Sequence, residues 1–456
     1  MQTEKLKLDV NIITICLASF LVPFIGSAVS LAIPKIGDTY SMSAVELTWI
    51  ATAYLLSTAV FQIPLAKVAD MYGRKKMFCI GMLVFAITTM GCGLATTKEL
   101  FFILRVLEGI GSALLFGTGM AILVSLYPPQ LRGRILGINT AVVYVSLALG
   151  PFLGGMLTDY FGWQSLFIVT GVIALLLFVL ALIFIRYEWK DAKQTFDYIG
   201  AIIFGTSIFT LVYGFSNLSK ITGIIIFVLG ILLSIVFILK EKKMSNPILN
   251  ISLFSKNKVF AMSVLAALIN YASTAAVGFL LSLYLQIVLG YEPRHAGLVF
   301  ISQAIIMSIF ALISGKLSDK IHPSKLATFG MSVIVLGLIV LIFLNAETSI
   351  LYIVFALVLL GVGFGMFSSP NTNVIMSSVS KEFLGQASAT TGTARLVGQT
   401  FSIGIAGMLI SVFIGENKIT LELFPQFLTC IRVAFISFAA LCFIGIYAST
   451  NRFTSK

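Results

Sequence analysis

LAKVADMYGRKK, Leu65 to Lys76, places an acid, a glycine and a basic cluster between two long apolar segments. A polar stretch this short, flanked by runs of bilayer-spanning length, reads as the loop joining two membrane helices. A fainter copy, GKLSDKIHPSK, returns at Gly315 to Lys325.

The rest of the chain agrees with that reading. At 59% hydrophobic and 11% charged residues, with a mean hydropathy of +1.05, it lies far outside soluble globular usage. Lipid offers the backbone no hydrogen-bond partners, so the spans must be helices and the fold class is an all-α polytopic membrane protein. The first apolar run, 10–33, follows a short basic head as a signal peptide would. It is too long and lacks a small-residue cleavage site, so it reads as an uncleaved helix. Cys16, Cys79, Cys92, Cys430 and Cys442 all stand inside apolar runs, where a thiol behaves as a small hydrophobe, and no CxxC spacing occurs. His295 and His322 are loop residues too far apart to suggest a metal site. There is no GxxxxGK[ST] phosphate loop and no catalytic triad pattern, so neither an enzyme, an ATP-driven pump nor a cofactor is expected.

Fourteen candidate spans follow one another from 10–33 to 428–447, an even number that puts both termini on one side. Of the 30 basic residues, only Lys35, Lys98, Lys220, Arg294 and Lys418 fall on the opposite side, and Arg105, Arg395 and Arg432 lie within spans. This positive-inside bias predicts cytoplasmic termini in a plasma membrane, and it accounts for the net charge of +12 without nucleic acid. The chain also repeats. Asp70 and Asp319, and GIG at Gly109 to Gly111 and GVG at Gly361 to Gly363, recur at nearly equal separations. The expected organisation is therefore 6+2+6: a six-helix bundle over 1–189, an inserted two-helix hairpin with linkers over 190–258, and a second bundle over 259–456.

The loop after the second span, RVLEGIGSA at Arg105 to Ala113, SLALGPFLGG at Ser146 to Gly155 and the 6+2+6 count together resemble the 14-helix drug:proton antiporters of the major facilitator superfamily. The resemblance covers nearly the whole chain. It implies the major facilitator fold, two pseudo-symmetric bundles around a cavity that opens alternately to each side. The loop marks the superfamily, and the fifth-span motif marks its export branch. Departures are Ala66, Val68 and Met71 in the loop, Ser146 in the fifth span, and His322 and Pro323 in the second loop, where the glycine and arginine of the first are absent.

The motif residues also have a physical reading. Asp70 ends a helix, where the dipole disfavours a carboxylate, so it calls for a cation such as Arg74 or Lys75. With Gly73 and Asp319 these residues form the expected cytoplasmic gate; an ordinary solvated basic loop is the plainer reading. Gly150, Gly154 and Gly155 permit close helix approach, and Pro151 bends the helix that carries them. By resemblance this helix lies between the halves and restrains proton leak; close packing alone is the alternative. Glu108 is the one acid well inside a span, and Arg105 stands on the same helical face. They read either as a proton-coupling pair or as a static pair. The resemblance implicates the Arg105 position in proton transfer, and glutamine is more usual at Glu108. The family's first-helix Asp and Asn are replaced by Ile25 and Ser30, which removes a site attractive to cations. Arg395, with Gln399 one turn on, reads either as cavity-facing or as snorkelling to the interface. Asn139 and Gln303 are further candidates for the substrate path, or for interhelical hydrogen bonds.

The reading these observations give is a secondary active transporter, expected as a monomer, that exports small amphipathic or drug-like compounds in exchange for protons. Its partners are the small-molecule substrate, protons and the lipid bilayer. A facilitator or symporter of an anionic metabolite is the alternative, and a non-transporting receptor a remote one.

Overall fold

The computed structural model describes residues 2–127, 129–190, 196–218, 220–244, 247–318, 320–380, 383–415 and 417–452. Among these the chain is all helical. The first six spans are α1 (Gln2–Thr39), α2 (Ala44–Tyr72), α3 (Arg74–Leu94), α4 (Lys98–Leu126), α5 (Pro129–Phe161) and α6 (Trp163–Phe184). A hairpin follows, α7 (Tyr198–Ser216) and α8 (Ile221–Glu241), then a single turn, α9 (Ser252–Lys256). The last six are α10 (Lys258–Leu283), extended by a π turn at Tyr284–Val288, α11 (Pro293–Leu317), α12 (Pro323–Ile342), α13 (Ile350–Ser377), α14 (Leu384–Phe413) and α15 (Phe424–Thr450). Fourteen of these helices are long and apolar enough to cross a membrane.

Local chemistry sets the helix ends. Ser43 and Glu46 form a capping box at the start of α2, and Thr97, Asn257 and Asp197 each accept a backbone N–H at the start of α4, α10 and α7. Two connections shrink to one glycine with positive φ, Gly73 (+119°) between α2 and α3 and Gly162 (+79°) between α5 and α6. That backbone region is strained for a residue with a Cβ.

The repeat is visible in the packing. In the first half α1 packs on α5 and α6, α2 on α4, and α3 on α4 and α6. In the second, α10 packs on α14 and α15, α11 on α13, and α12 on α13 and α15. The GIG and GVG runs explain how. A Cβ on Gly109 of α4 would stand 2.7 Å from the Tyr54 carbonyl oxygen of α2, and one on Gly361 of α13 would stand 2.7 Å from the Gln303 carbonyl oxygen of α11. A Cβ on Gly111 would stand 2.7 Å from the Phe85 backbone of α3, and one on Gly363 the same distance from the Gly330 carbonyl oxygen of α12. With little hydrophobic gain to be had between helices in lipid, such small residues let backbones close and gain dispersion contact.

The halves meet along two seams, α5 on α11 and α2 on α14, which are the same pairing seen from each half. The hairpin breaks this symmetry. Helix α7 lies over the α2–α14 seam alone, with the Trp49 and Tyr213 rings 5.7 Å apart and Phe215 5.6 Å from Phe401. At its base Asp197 caps α7 and pairs with Lys240 of α8. Burial pushes the Asp197 carboxyl up, and the bonds from Lys240 and the Gly200 N–H outweigh this and hold it below the ordinary carboxylate value.

Candidate functional site

The deepest polar group in the first half is the Arg105–Glu108 pair on α4, with no solvent exposure at either residue. One turn of helix separates them, so Arg105 Nη1 donates to Glu108 Oε2 at 2.6 Å. Arg105 Nε donates to the Ile50 carbonyl of α2 at 3.1 Å, a reach that the close approach at Gly109 permits. Thr89 Oγ1 of α3 donates to Glu108 Oε1 at 2.8 Å. The guanidinium lies 4.5 Å from the centroid of the Tyr54 ring. Tyr54 in turn donates from its hydroxyl to the Val22 carbonyl at 2.9 Å and accepts from Ser112 Oγ at 3.0 Å.

Tyr54 also lines a cavity of about 200 Å³ between the halves, so its ring is the wall between that cavity and the buried pair. The cavity takes residues from α1, α2, α4 and α5 on one side and from α10, α11, α13 and α14 on the other. Gln303, Arg395 and Gln399 all line it, with Phe116, Tyr271 and Phe300 among its aromatic residues. Arg395 does not snorkel away from the bundle. Its guanidinium crosses between the halves and lies 5.0 Å from the centroid of the Phe116 ring on α4. Asn139 is placed elsewhere: it is buried in α5, with Nδ2 3.9 Å from Met120 Sδ, and is not among the lining residues. A larger groove, about 950 Å³, lies between α2, α4 and α7, but its walls are almost wholly apolar.

The glycine motif of α5 divides its work. A Cβ on Gly154 would stand 2.7 Å from Ala28 of α1, whereas Gly155 touches the Pro293 backbone of α11 and Pro151 lines the cavity. Gly297 of α11 returns the contact: a Cβ there would stand 2.9 Å from the Pro151 carbonyl oxygen. Near this end of the seam Ser282 Oγ donates to the Ser30 carbonyl at 2.6 Å and Gln286 Nε2 to the Leu31 carbonyl at 3.1 Å. Arg294 Nε stands 3.3 Å from Asp159 Oδ2. These contacts join the halves on the face opposite the chain termini.

On the terminal face, Asp70 accepts from Arg74 Nε at 2.6 Å, and Arg74 Nη1 donates to Ser125 Oγ of α4 at 2.9 Å. Lys75 contributes its backbone instead: Glu188 Oε1 accepts from the Lys75 N–H at 2.9 Å and Oε2 from the Lys76 N–H at 3.1 Å. Gly73 turns the chain beneath that carboxylate, with no room for a Cβ. Asp319 lies outside the described residues.

A family model described as the Major Facilitator Superfamily matches residues 15–403. The chain belongs to the Major Facilitator Superfamily. Within it, this chain is 27% identical to the riboflavin transporter RibZ of Clostridioides difficile over 95% of each chain. It is 28% identical to the multidrug resistance protein Stp of Mycobacterium tuberculosis, over 85% of this chain and 73% of that one. It is 26% identical to the tetracenomycin C resistance and export protein of Streptomyces glaucescens, over 89% of this chain and 76% of that one. An inward-facing, occupied crystal structure of a bacterial homologue of the human lysosomal transporter Spinster superposes with a TM-score of 0.70. It shares 15% identity over 97% of this chain and 96% of that one, a likeness of fold. The chain is thus a superfamily transporter of small molecules, embedded in the membrane through many spans. The superfamily motifs alone do not point to Tyr54, Glu188, Asp159 or Arg294. Glu188 had one sequence signal, an acid following the sixth span that is available to the α3 N-terminus, where a carboxylate is favoured.

Proposed function

We propose that this transporter exports small amphipathic, drug-like compounds through the central cavity by alternating access, in exchange for protons. The observation that carries the reading is the stack of Glu108, Arg105 and Tyr54, which links the one acid buried mid-span among the described residues to the cavity wall. A proton on Glu108 removes the charge that holds Arg105. The guanidinium then bears on Tyr54 and on whatever occupies the cavity, and the two-state equilibrium of the halves shifts because the contact differs between states. The glycine seam of α5 and α11 gives the halves a close surface on which to rock, and the bias of Lys and Arg towards the terminal face supports a cytoplasmic setting for that face. The tetracenomycin C resistance and export protein among the relatives supports the export direction.

Inverted membrane vesicles with a pH-sensitive dye test this. Candidate drugs are expected to discharge an imposed proton gradient in the wild type. Glu108→Gln is expected to lose that discharge while still exchanging labelled for unlabelled substrate. Discharge by Glu108→Gln at the wild-type rate would remove Glu108 from the coupling step, and no discharge by any substrate that exchanges would remove antiport.

A further inference from the structure

We infer that the compound held in the central cavity is a planar aromatic anion whose acidic group sits on Arg395; this rests on the proposed function in taking the cavity as the transport site and, for the charge count, the proton as the exchanged ion. Arg395 is partly buried in a largely apolar wall. Among the described residues it has no hydrogen-bond or ion-pair partner, its one specific contact being the Phe116 ring, and no acid lines the cavity. Arg105 and Arg452 show how this chain holds a buried guanidinium: Arg105 meets a carboxylate, a carbonyl and a ring, and Arg452 donates to oxygens of Ser449, Ser263 and Asn371. A guanidinium left without any such acceptor in a largely apolar wall carries a desolvation cost that a bound anion offsets, through short charge-assisted hydrogen bonds.

The rest of the wall suits a flat ring. Phe116, Tyr54 and Tyr271 offer aromatic faces to stack on. Gln303 and Gln399 make no side-chain hydrogen bond among the described residues, so their amides supply donors and acceptors at the ring's edge. A cation in the same place would meet Arg395 with no carboxylate to balance it. The charge count of the cycle follows. An anion moving out while a proton moves in carries two positive charges inward, so membrane potential drives the cycle; a monovalent cation exchanged for one proton carries none.

The test uses the full chain in lipid nanodiscs with three probes: 8-anilinonaphthalene-1-sulfonate, its uncharged parent N-phenyl-1-naphthylamine, and the cation ethidium. The sulfonate is expected to bind about tenfold or more tightly than the parent, and ethidium more weakly than either. Arg395→Gln is expected to abolish the sulfonate's advantage and leave the parent's affinity within about threefold, which also shows that the variant is folded. Gly278→Phe fills the cavity from a position where a Cβ meets nothing within 4 Å, and is expected to displace both naphthalene probes. In proteoliposomes, sulfonate flux is expected to rise with an imposed potential. Equal affinity for sulfonate and parent, tighter binding of ethidium, absence of saturable binding, sulfonate flux indifferent to potential, or an advantage that survives Arg395→Gln would overturn the inference. Specific sulfonate binding without flux under a pH gradient would instead leave the site standing and remove the proton-driven exporter.

Discussion

Helices α4 and α13 hold equivalent places in the two halves, and aligning GIG on GVG sets Arg105 and Glu108 of the first against Leu357 and Leu360 of the second. Both pairs are buried. The glycines that follow them make the same close approaches, and the cavity-lining residues they approach, Tyr54 and Gln303, correspond as well. One half has thus put a compensated charge where the other packs leucine. The fold does not need the ion pair at that position, since its twin does without one. In the second half charge instead appears as Arg395, which crosses to Phe116 and lines the cavity. A charge answered within its own half and one left facing a cavity call for different experiments.

The sharpest way to break the comparison is to make α4 like α13. Arg105→Leu alone leaves the Glu108 carboxylate buried without its cation, and breaking such a pair typically costs about 3–5 kcal/mol. A large drop in melting temperature of the purified protein is expected. Arg105→Leu with Glu108→Leu copies the second half and removes both desolvation penalties; its stability is expected to return to within about 1 kcal/mol of wild type, because hydrophobic replacement of a buried pair is often neutral or better. Proton coupling is expected to stay lost. If the double variant melts as low as the single one, the pair is needed for packing and the comparison with α13 fails.

A second experiment asks whether the halves are equivalent where they look it. Gly109→Leu and Gly361→Leu each drive a side chain against a carbonyl oxygen that a Cβ alone would approach to 2.7 Å. Overpacking of this kind costs about 1–3 kcal/mol, and the two losses are expected to match within about 1 kcal/mol in thermal melts. A large loss at one site and none at the other would mean that the repeat has drifted apart in packing as well as in sequence.

Much of this was legible because membrane physics writes it in runs. Lipid forces helices, so the fourteen spans, the six, two and six grouping of helices and the twin glycine motifs follow from apolar length and spacing. The Arg105–Glu108 contact was legible because residues three apart on a helix share a face. The direction of Arg395 was not, since helix rotation is set by packing against neighbours, and a long side chain near a helix end has two outlets. Asn139 misled for the same reason, its face being turned to Met120. Glu188 was hidden by distance along the chain: its partner N–H of Lys75 is 113 residues away, and no local pattern joins them. Nor does spacing reveal that α7 covers one seam and leaves its twin bare.

The smallest effect is expected at the loops. In the first half a single glycine turns α2 into α3, and Asp70 and Arg74 bridge it; in the second, α11 ends at Leu317 and α12 begins at Pro323, with His322 Nδ1 accepting the Ser324 N–H at 3.3 Å. The Asp70–Arg74 pair is about one-third exposed, and exposed ion pairs contribute about 0.2–1 kcal/mol. The helix C-terminus beneath Asp70 takes back part of that, because the dipole there disfavours an anion. Asp70→Asn is therefore expected to melt almost as the wild type does. Its transport rate is the informative number. A gate role for this carboxylate, which is engaged inside its own half in the state seen here, calls for a larger effect in the other state of the cycle. A several-fold loss of transport at unchanged melting temperature would place Asp70 in the switching step, while unchanged transport would reduce the loop to a solvated connection and make the two halves more alike than they look.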